Sequence, residues 1–375
     1  MAICTDFPSA TEKKLFTKIC KYKKSKYIYL SRFKRYGYSG ANLYIVYFSD
    51  KKDTRAGLPF IVKIGTEDKI RKEVAAIKVL DSCIDDCDSF RKDFYMEGHG
   101  AILFTHKGTR SLERASDTKT LAWEVWPNPE NNFKVTFSED EIGKCLNDVF
   151  LKLKPAHDYG EVICVNPVEH YKWYLRDAGK IRIADILGSN ATKSEMVFVD
   201  APIYNPICLF SKLKDNIEIV AGKVHGDLHT DNIVLHDDGQ PKLIDFEWAN
   251  KETDILIDFV LLENSIRFQS FPKRANCELQ LEVDKHLLNE NGQKAILEDS
   301  KFEGKYHRLA KIVDYIRNGA KNAVGDKFDF DKYLLTQYCI MYGLMAFDNY
   351  DQVMAMRALG LISKRIVERD KFVKL

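Results

Sequence analysis

The sequence predicts an α+β protein of two lobes, a small antiparallel-sheet lobe followed by a larger, mainly helical one. Three observations carry this expectation. Short β-branched and aromatic runs separated by turn residues fill the N-terminal part, and helical periodicity dominates the rest. The length of 375 residues also exceeds what one core commonly holds, since cores seldom grow past about 250–300 residues. The divide is placed near residue 107, giving lobes of 1–107 and 108–375.

The strands come first. Tyr27-Ile28-Tyr29-Leu30, Leu43-Tyr44-Ile45-Val46-Tyr47-Phe48, Phe60-Ile61-Val62-Lys63-Ile64 and Ala101-Ile102-Leu103-Phe104 read as a meander. One helix interrupts it, with Ile70, Val74, Ile77 and Leu80 at helical spacing and Lys69, Arg71, Lys72 and Lys78 outside that stripe. Glu73 falls on the inward face, where a carboxylate is costly unless paired. The segment 123–137, with its prolines and asparagines, reads as a loop or insertion. A helix follows over 139–154, and several more fill the chain after 278. The apolar run 333–347 is too short to span a bilayer and contains Gln337, so it reads as a buried helix.

Composition narrows the class without naming a substrate. A net charge of +2 supplies no global field for nucleic acid or an anionic membrane. The basic stretch 13–35, interleaved with Tyr22, Tyr27, Tyr29 and Phe33, is better read as a solvated flank of a strand than as a nucleic-acid surface. Nine cysteines at irregular spacing without a C-x-x-C pair give neither a disulfide framework nor a zinc ribbon, and Cys83 with Cys87 lacks further ligands. With no signal-peptide pattern and no long apolar stretch, a cytoplasmic location is expected, with no membrane partner.

The most informative segment is His225-Gly226-Asp227-Leu228-His229-Thr230-Asp231-Asn232, followed by Ile233-Val234-Leu235, a turn at Asp237-Asp238-Gly239, and Pro241-Lys242-Leu243-Ile244-Asp245-Phe246-Glu247. Such a hairpin presents Asp227, Asn232 and Asp245 to one spot. Phosphoryl transfer needs that set: a carboxylate to orient and deprotonate an acceptor hydroxyl, and oxygen ligands for magnesium. His225, Asp227 and His229 as ligands of a metallohydrolase would leave Asn232, Asp245, Lys63 and Glu73 unexplained. There is no Walker string, and Gly98-His99-Gly100 precedes a strand instead of opening a helix, which removes Rossmann chemistry.

These strings resemble the protein-kinase-like phosphotransferases, specifically the branch of aminoglycoside phosphotransferases and choline kinases. Protein kinases proper carry Arg before the catalytic Asp and Phe-Gly after the metal Asp, and this chain does not. The resemblance implies a two-lobed protein-kinase-like fold, Asp227 as catalytic base, Asn232 and Asp245 as magnesium ligands, and ATP as phosphoryl donor. It further implies that Asp258, in Asp258-Phe259-Val260-Leu261-Leu262-Glu263, braces the catalytic loop with His225 as structural support. Gly37, Ser39 and Gly40 fall where the phosphates are covered, Lys63 with Glu73 where the phosphate-binding lysine and its partner stand, and Phe104 and His106 at the adenine hinge. Asn205-Pro206-Ile207 is similar to kinase-like modules of bacterial conflict and signalling systems. The acceptor is expected to be a hydroxyl of a small molecule that the sequence does not identify. A nucleotide-binding adaptor with protein partners and an atypical Ser/Thr protein kinase stand as alternatives.

Overall fold

A computed structural model describes residues 2–4, 9–32, 41–51, 59–80, 90–105, 120–126, 137–158, 160–235, 240–272 and 276–374. Contacts divide the chain into two compact units. One comprises Met1–Leu121, His225–Asp227 and Asp231–Lys251, and the other Ala122–Val224, Leu228–Thr230 and Glu252–Leu375.

The first unit begins with β1 (Ala2–Cys4), α1 (Ala10–Tyr22), β2 (Tyr27–Arg32), β3 (Asn42–Ser49), β4 (Phe60–Thr66), α2 (Glu67–Leu80), β5 (Phe90–Met96) and β6 (His99–Thr105). The strands form one sheet in the order β1-β2-β3-β4-β6-β5. β1 joins parallel to β2, and every other pairing is antiparallel. Because side chains alternate across a strand, the sheet buries two faces. Leu30, Tyr44, Val46, Val62, Ile64, Ala101 and Leu103 pack with Leu15, Phe16 and Ile19 of α1 on one side. Ile102 packs with Ile70 and Val74 of α2 on the other. α2 lies so close to β6 that a Cβ on Gly100 would stand 2.7 Å from Cβ of Ile70.

α1 is a departure from the sequence reading, which saw only a charged flank there. Ser9 and Glu12 close a capping box at its start, and its lysines have local uses. Lys14 pairs with Glu97 at 2.5 Å, Lys18 donates to the Tyr95 carbonyl, and Lys23, the helix C-cap, sits 4.2 Å from the Phe60 ring centroid. Three lysines of the basic stretch thus help to hold the helix to the sheet.

The chain continues through α3 (Leu121–Val125), α4 (Glu139–His157), β7 (Glu161–Val165), α5 (Pro167–His170), α6 (Asp177–Leu187), β8 (Glu195–Phe198), β9 (Ala201–Tyr204), α7 (Pro206–Phe210) and β10 (Ile217–Val224). It then supplies a hairpin to the first unit, β11 (Ile233–Leu235) with β12 (Pro241–Leu243). The second unit resumes with the end of β13 (Asn250–Asp254), then α8 (Leu256–Asn264), α9 (Cys277–Leu287), α10 (Gly292–Glu298), α11 (Lys305–Val324), α12 (Phe330–Leu344) and α13 (Gln352–Arg369). α12 is buried along most of its length, as its apolar run requires. Among the described residues no helix is long and apolar enough to cross a membrane.

α8 is buried at every position and passes into a π-helical turn at Ser265–Gln269. Around it Glu263 accepts from Arg267, Arg317, Tyr333 and Gln337 at 2.8–3.1 Å. Asp284 takes Arg267 at 3.1 Å and Arg357 at 2.9 Å. These side chains knit α8, α9, α11, α12 and α13 together without meeting solvent.

Candidate active site

β10 ends at Val224, and His225 behind it is fully buried. Its Nε2 donates to the Ile244 carbonyl at 2.9 Å, while Nδ1 accepts from the Asp227 amide at 3.3 Å. That pair of bonds places the ring proton on Nε2. Gly226 is obligatory here: its φ is +77°, and a Cβ would stand 2.2 Å from the Trp248 carbonyl oxygen. Asn232 donates through Nδ2 to the Asp227 carbonyl at 2.8 Å and to Asp227 Oδ2 at 3.3 Å. The Ile244 amide donates to the Asn232 carbonyl at 3.1 Å, extending the β11–β12 ladder.

The residue after Ile244 breaks the strand. Asp245 has a φ of +62°, a left-handed conformation that Asp tolerates better than most residues, and it points a carboxylate at Lys63. Lys63 Nζ lies 2.9 Å from Glu73 Oε2 and 2.9 Å from Asp245 Oδ1. The β3–β4 and β4–β6 registers set Lys63 opposite Leu43 and Ile102, on the face that α2 covers. Lys63, Glu73, His225, Asp227, Asn232 and Asp245 all belong to the first unit.

Among the described residues, carboxylates outnumber cations in this cluster. Burial alone would depress the Lys63 ammonium, but Asp245 and Glu73 outweigh it and raise Lys63 above the ordinary lysine range. Burial pushes Glu73 up to about 7, with Asp245 and Glu247 adding to the shift against the pull of Lys63. Burial and then the Asp245 charge push half-buried Asp227 up to about 8. Oxygens of Glu73, Asp245 and Glu247 lie within 4.8 Å of one another. Oxygen-rich, anion-excess surroundings suit a hard divalent cation such as magnesium.

Glu247 is the site residue that the sequence reading passed over. Its signal was a second carboxylate two positions after Asp245. Asp258 lies in the second unit, fully buried, with Oδ2 3.2 Å from Nε2 of His157 at the end of α4. Phe104 is partly buried on β6 opposite Ile61 and Phe90. Gly37, Ser39, Gly40, His106, Cys83 and Cys87 lie outside the described residues.

A first unit with the six-stranded sheet and the Lys63–Glu73 pair and a second, mainly helical unit make an α+β fold. More particularly, the chain belongs to the family described as Ternary complex associated domain 9, whose model matches residues 100–329. Its fold is similar to that of choline kinase LicA from Streptococcus pneumoniae, with a TM-score of 0.36 and 13% identity over 90% of this chain and 99% of that one. It is also similar to macrolide 2'-phosphotransferase type I, with a TM-score of 0.39 and 12% identity over 89% and 97% of the two chains. An aminoglycoside-3'-phosphotransferase of type VIII gives 0.35 and 12% over 76% and 93%. No curated protein matches the sequence.

Proposed function

We propose that the protein is an ATP- and magnesium-dependent phosphotransferase that moves a γ-phosphoryl group to a hydroxyl of a small molecule. The observation that carries this reading is Lys63 bridging Glu73 and Asp245 at 2.9 Å each, in the unit that also holds the Asp227–Asn232 pair. Glu73 keeps Lys63 charged and oriented toward phosphate oxygens. Asp245 and Asn232 would hold magnesium, with Glu247 as a third candidate. The Asn232 amide nitrogen is committed to Asp227, which leaves its carbonyl oxygen as the ligating atom. Bound magnesium would supply charge neutralisation on the phosphates.

Asp227 orients the acceptor hydroxyl and takes its proton. Burial and the Asp245 charge raise this carboxyl to about 8 in the metal-free protein, and a cation bound near Asp245 would lower it toward the ionised form that accepts the proton. Asp258 and His225 are assigned to holding the loop. Loss of Asp258 should lower melting temperature and turnover together, whereas normal stability with abolished magnesium binding would place Asp258 in the site itself. The family's description as ternary-complex-associated accords with a chain that also meets protein partners.

The test is nucleotide-dependent melting together with ATP turnover, for wild type, Asp227→Asn and Asp245→Asn, against metabolite pools and lysate proteins. Turnover with a small-molecule pool supports the reading, and labelled protein alone redirects it to a protein kinase. A melting shift without turnover on any acceptor, unchanged in Asp227→Asn, identifies a nucleotide-binding adaptor.

A further inference from the structure

Glu12 is a buried carboxylate, only 7% exposed, on the sheet face opposite to Lys63, and the chemistry above makes no use of it. Its Oε2 accepts from the Ser9 amide at 2.8 Å as part of the α1 capping box. Its other oxygen, Oε1, leaves the helix and accepts from Asn42 Nδ2 and from the Tyr44 hydroxyl, both at 2.9 Å. Asn42 in turn takes a bond from Arg32 through Oδ1. Arg32 ends β2 and Asn42 begins β3, so one carboxylate ties the first turn of α1 to the last residue of one strand and the first of the next.

A helix cap needs none of these outward bonds. Burial would raise a carboxyl here, yet hydrogen bonds from Ser9, Tyr44 and Asn42 outweigh it and hold Glu12 low. The strand it grips is the one that pairs with the Lys63 strand: Asn42 stands opposite Ile64, Leu43 opposite Lys63, and Tyr44 opposite Val62. Adjacent residues of a strand face opposite sides. Asn42 and Tyr44 therefore flank Leu43 from behind and determine how rigidly the Lys63 position is presented on the front.

We infer that Glu12 is a positioning residue, which through Asn42, Tyr44 and Arg32 holds the start of β3 so that Lys63 meets nucleotide phosphates in a fixed place. The inference rests on the phosphotransferase reading for its nucleotide arm and stands apart from it for its structural arm. Asn42→Ala and Glu12→Ala should each raise the Kd for magnesium-ATP about tenfold, with kcat at saturation within about threefold of wild type. Glu12→Gln keeps the capping box through its one oxygen but turns an amide nitrogen on the Asn42 amide, and should raise the Kd nearly as much as Glu12→Ala. Ser9→Ala removes only the cap. It should lower the melting temperature while leaving the Kd unchanged.

Amide exchange without nucleotide supplies the structural arm. It should accelerate about tenfold over residues 42–46 and 60–64 in Asn42→Ala but not in Ser9→Ala. Equal effects of Asn42→Ala and Ser9→Ala on Kd and on exchange would reduce Glu12 to a helix cap and overturn the proposal. So would wild-type exchange over residues 42–46 in Asn42→Ala. A wild-type protein that binds no nucleotide would refute the phosphotransferase reading, and the exchange arm would still decide whether the relay holds β3.

Discussion

Two buried ionic clusters, one in each unit, are built to opposite ends. Around Glu263 and Asp284, two carboxylates meet the three guanidinium groups of Arg267, Arg317 and Arg357. Burial would raise the Glu263 carboxyl, but Arg317 and Arg267 hold it down to about 2. Among the described residues around Lys63 the balance is reversed, since Glu73, Asp227, Asp245 and Glu247 stand near one ammonium, and Glu73 and Asp227 are driven up to about 7 and 8. A cluster with its charges met is a brace. One in which carboxylates outnumber the described cation is suited to a metal ion, and shifted pKa values of that kind gather at working sites.

The largest expected effect tests the chemical half of this contrast. Asp227→Asn should lower turnover by about 10²–10⁴, the range for a general base, while magnesium-ATP still raises the melting temperature. Asp245→Asn should lose most of that melting shift. Equal shifts in both variants would erase the division of labour between the two carboxylates.

Next in size is the brace. Glu263→Ala leaves Arg267 and Arg317 as buried charges without their partner and should cost about 3–5 kcal/mol of stability in a denaturant titration. A loss no larger than that of a surface substitution would show that the second cluster is not structural. Smaller again is the coupling inside the first cluster. Lys63→Ala and Glu73→Ala should both depress turnover, and their double mutant should fall short of the summed losses by about 0.5–3 kcal/mol. Strict additivity would contradict the pairing.

The smallest effect is a difference in pH response. Asp227 and Glu73 are raised above their ordinary values of 3.8 and 4.5, so the folded metal-free protein holds protons that the unfolded chain has released. Their contribution is fully present below those ordinary values and is lost as pH rises through about 7 and 8. Glu263 is lowered from 4.5 to about 2, so its contribution is present above 4.5 and is lost as pH falls toward 2. Melting temperatures of metal-free protein should therefore decline as pH rises from about 4 to about 8, by on the order of 2–4 °C. Asp227→Asn or added magnesium should flatten that decline. A decline unchanged by either would assign it to other groups.

The sequence by itself determined which candidate residues come together, because their geometry is local. Asp227 and Asn232 share one turn-rich loop, and a short hairpin brings Asp245 back beside them, so spacing along the chain already implies proximity. Lys63 and Glu73 were legible for a related reason: a carboxylate on the apolar face of a helix demands a partner, and the preceding strand offered one. Tertiary structure decided the rest. The helix at Ala10–Tyr22 was hidden because lysines fill the gaps between Leu15, Phe16, Ile19 and Cys20, and the apolar side shows only once the sheet covers it. Likewise, Glu247 became part of the anionic cluster only when the left-handed turn at Asp245 folded it toward Glu73. Glu263 stood in plain view after Asp258, yet Arg317 and Tyr333 lie 54 and 70 positions away in the chain. Partners that far apart meet through helix packing, which depends on how whole faces fit and leaves no spacing to read.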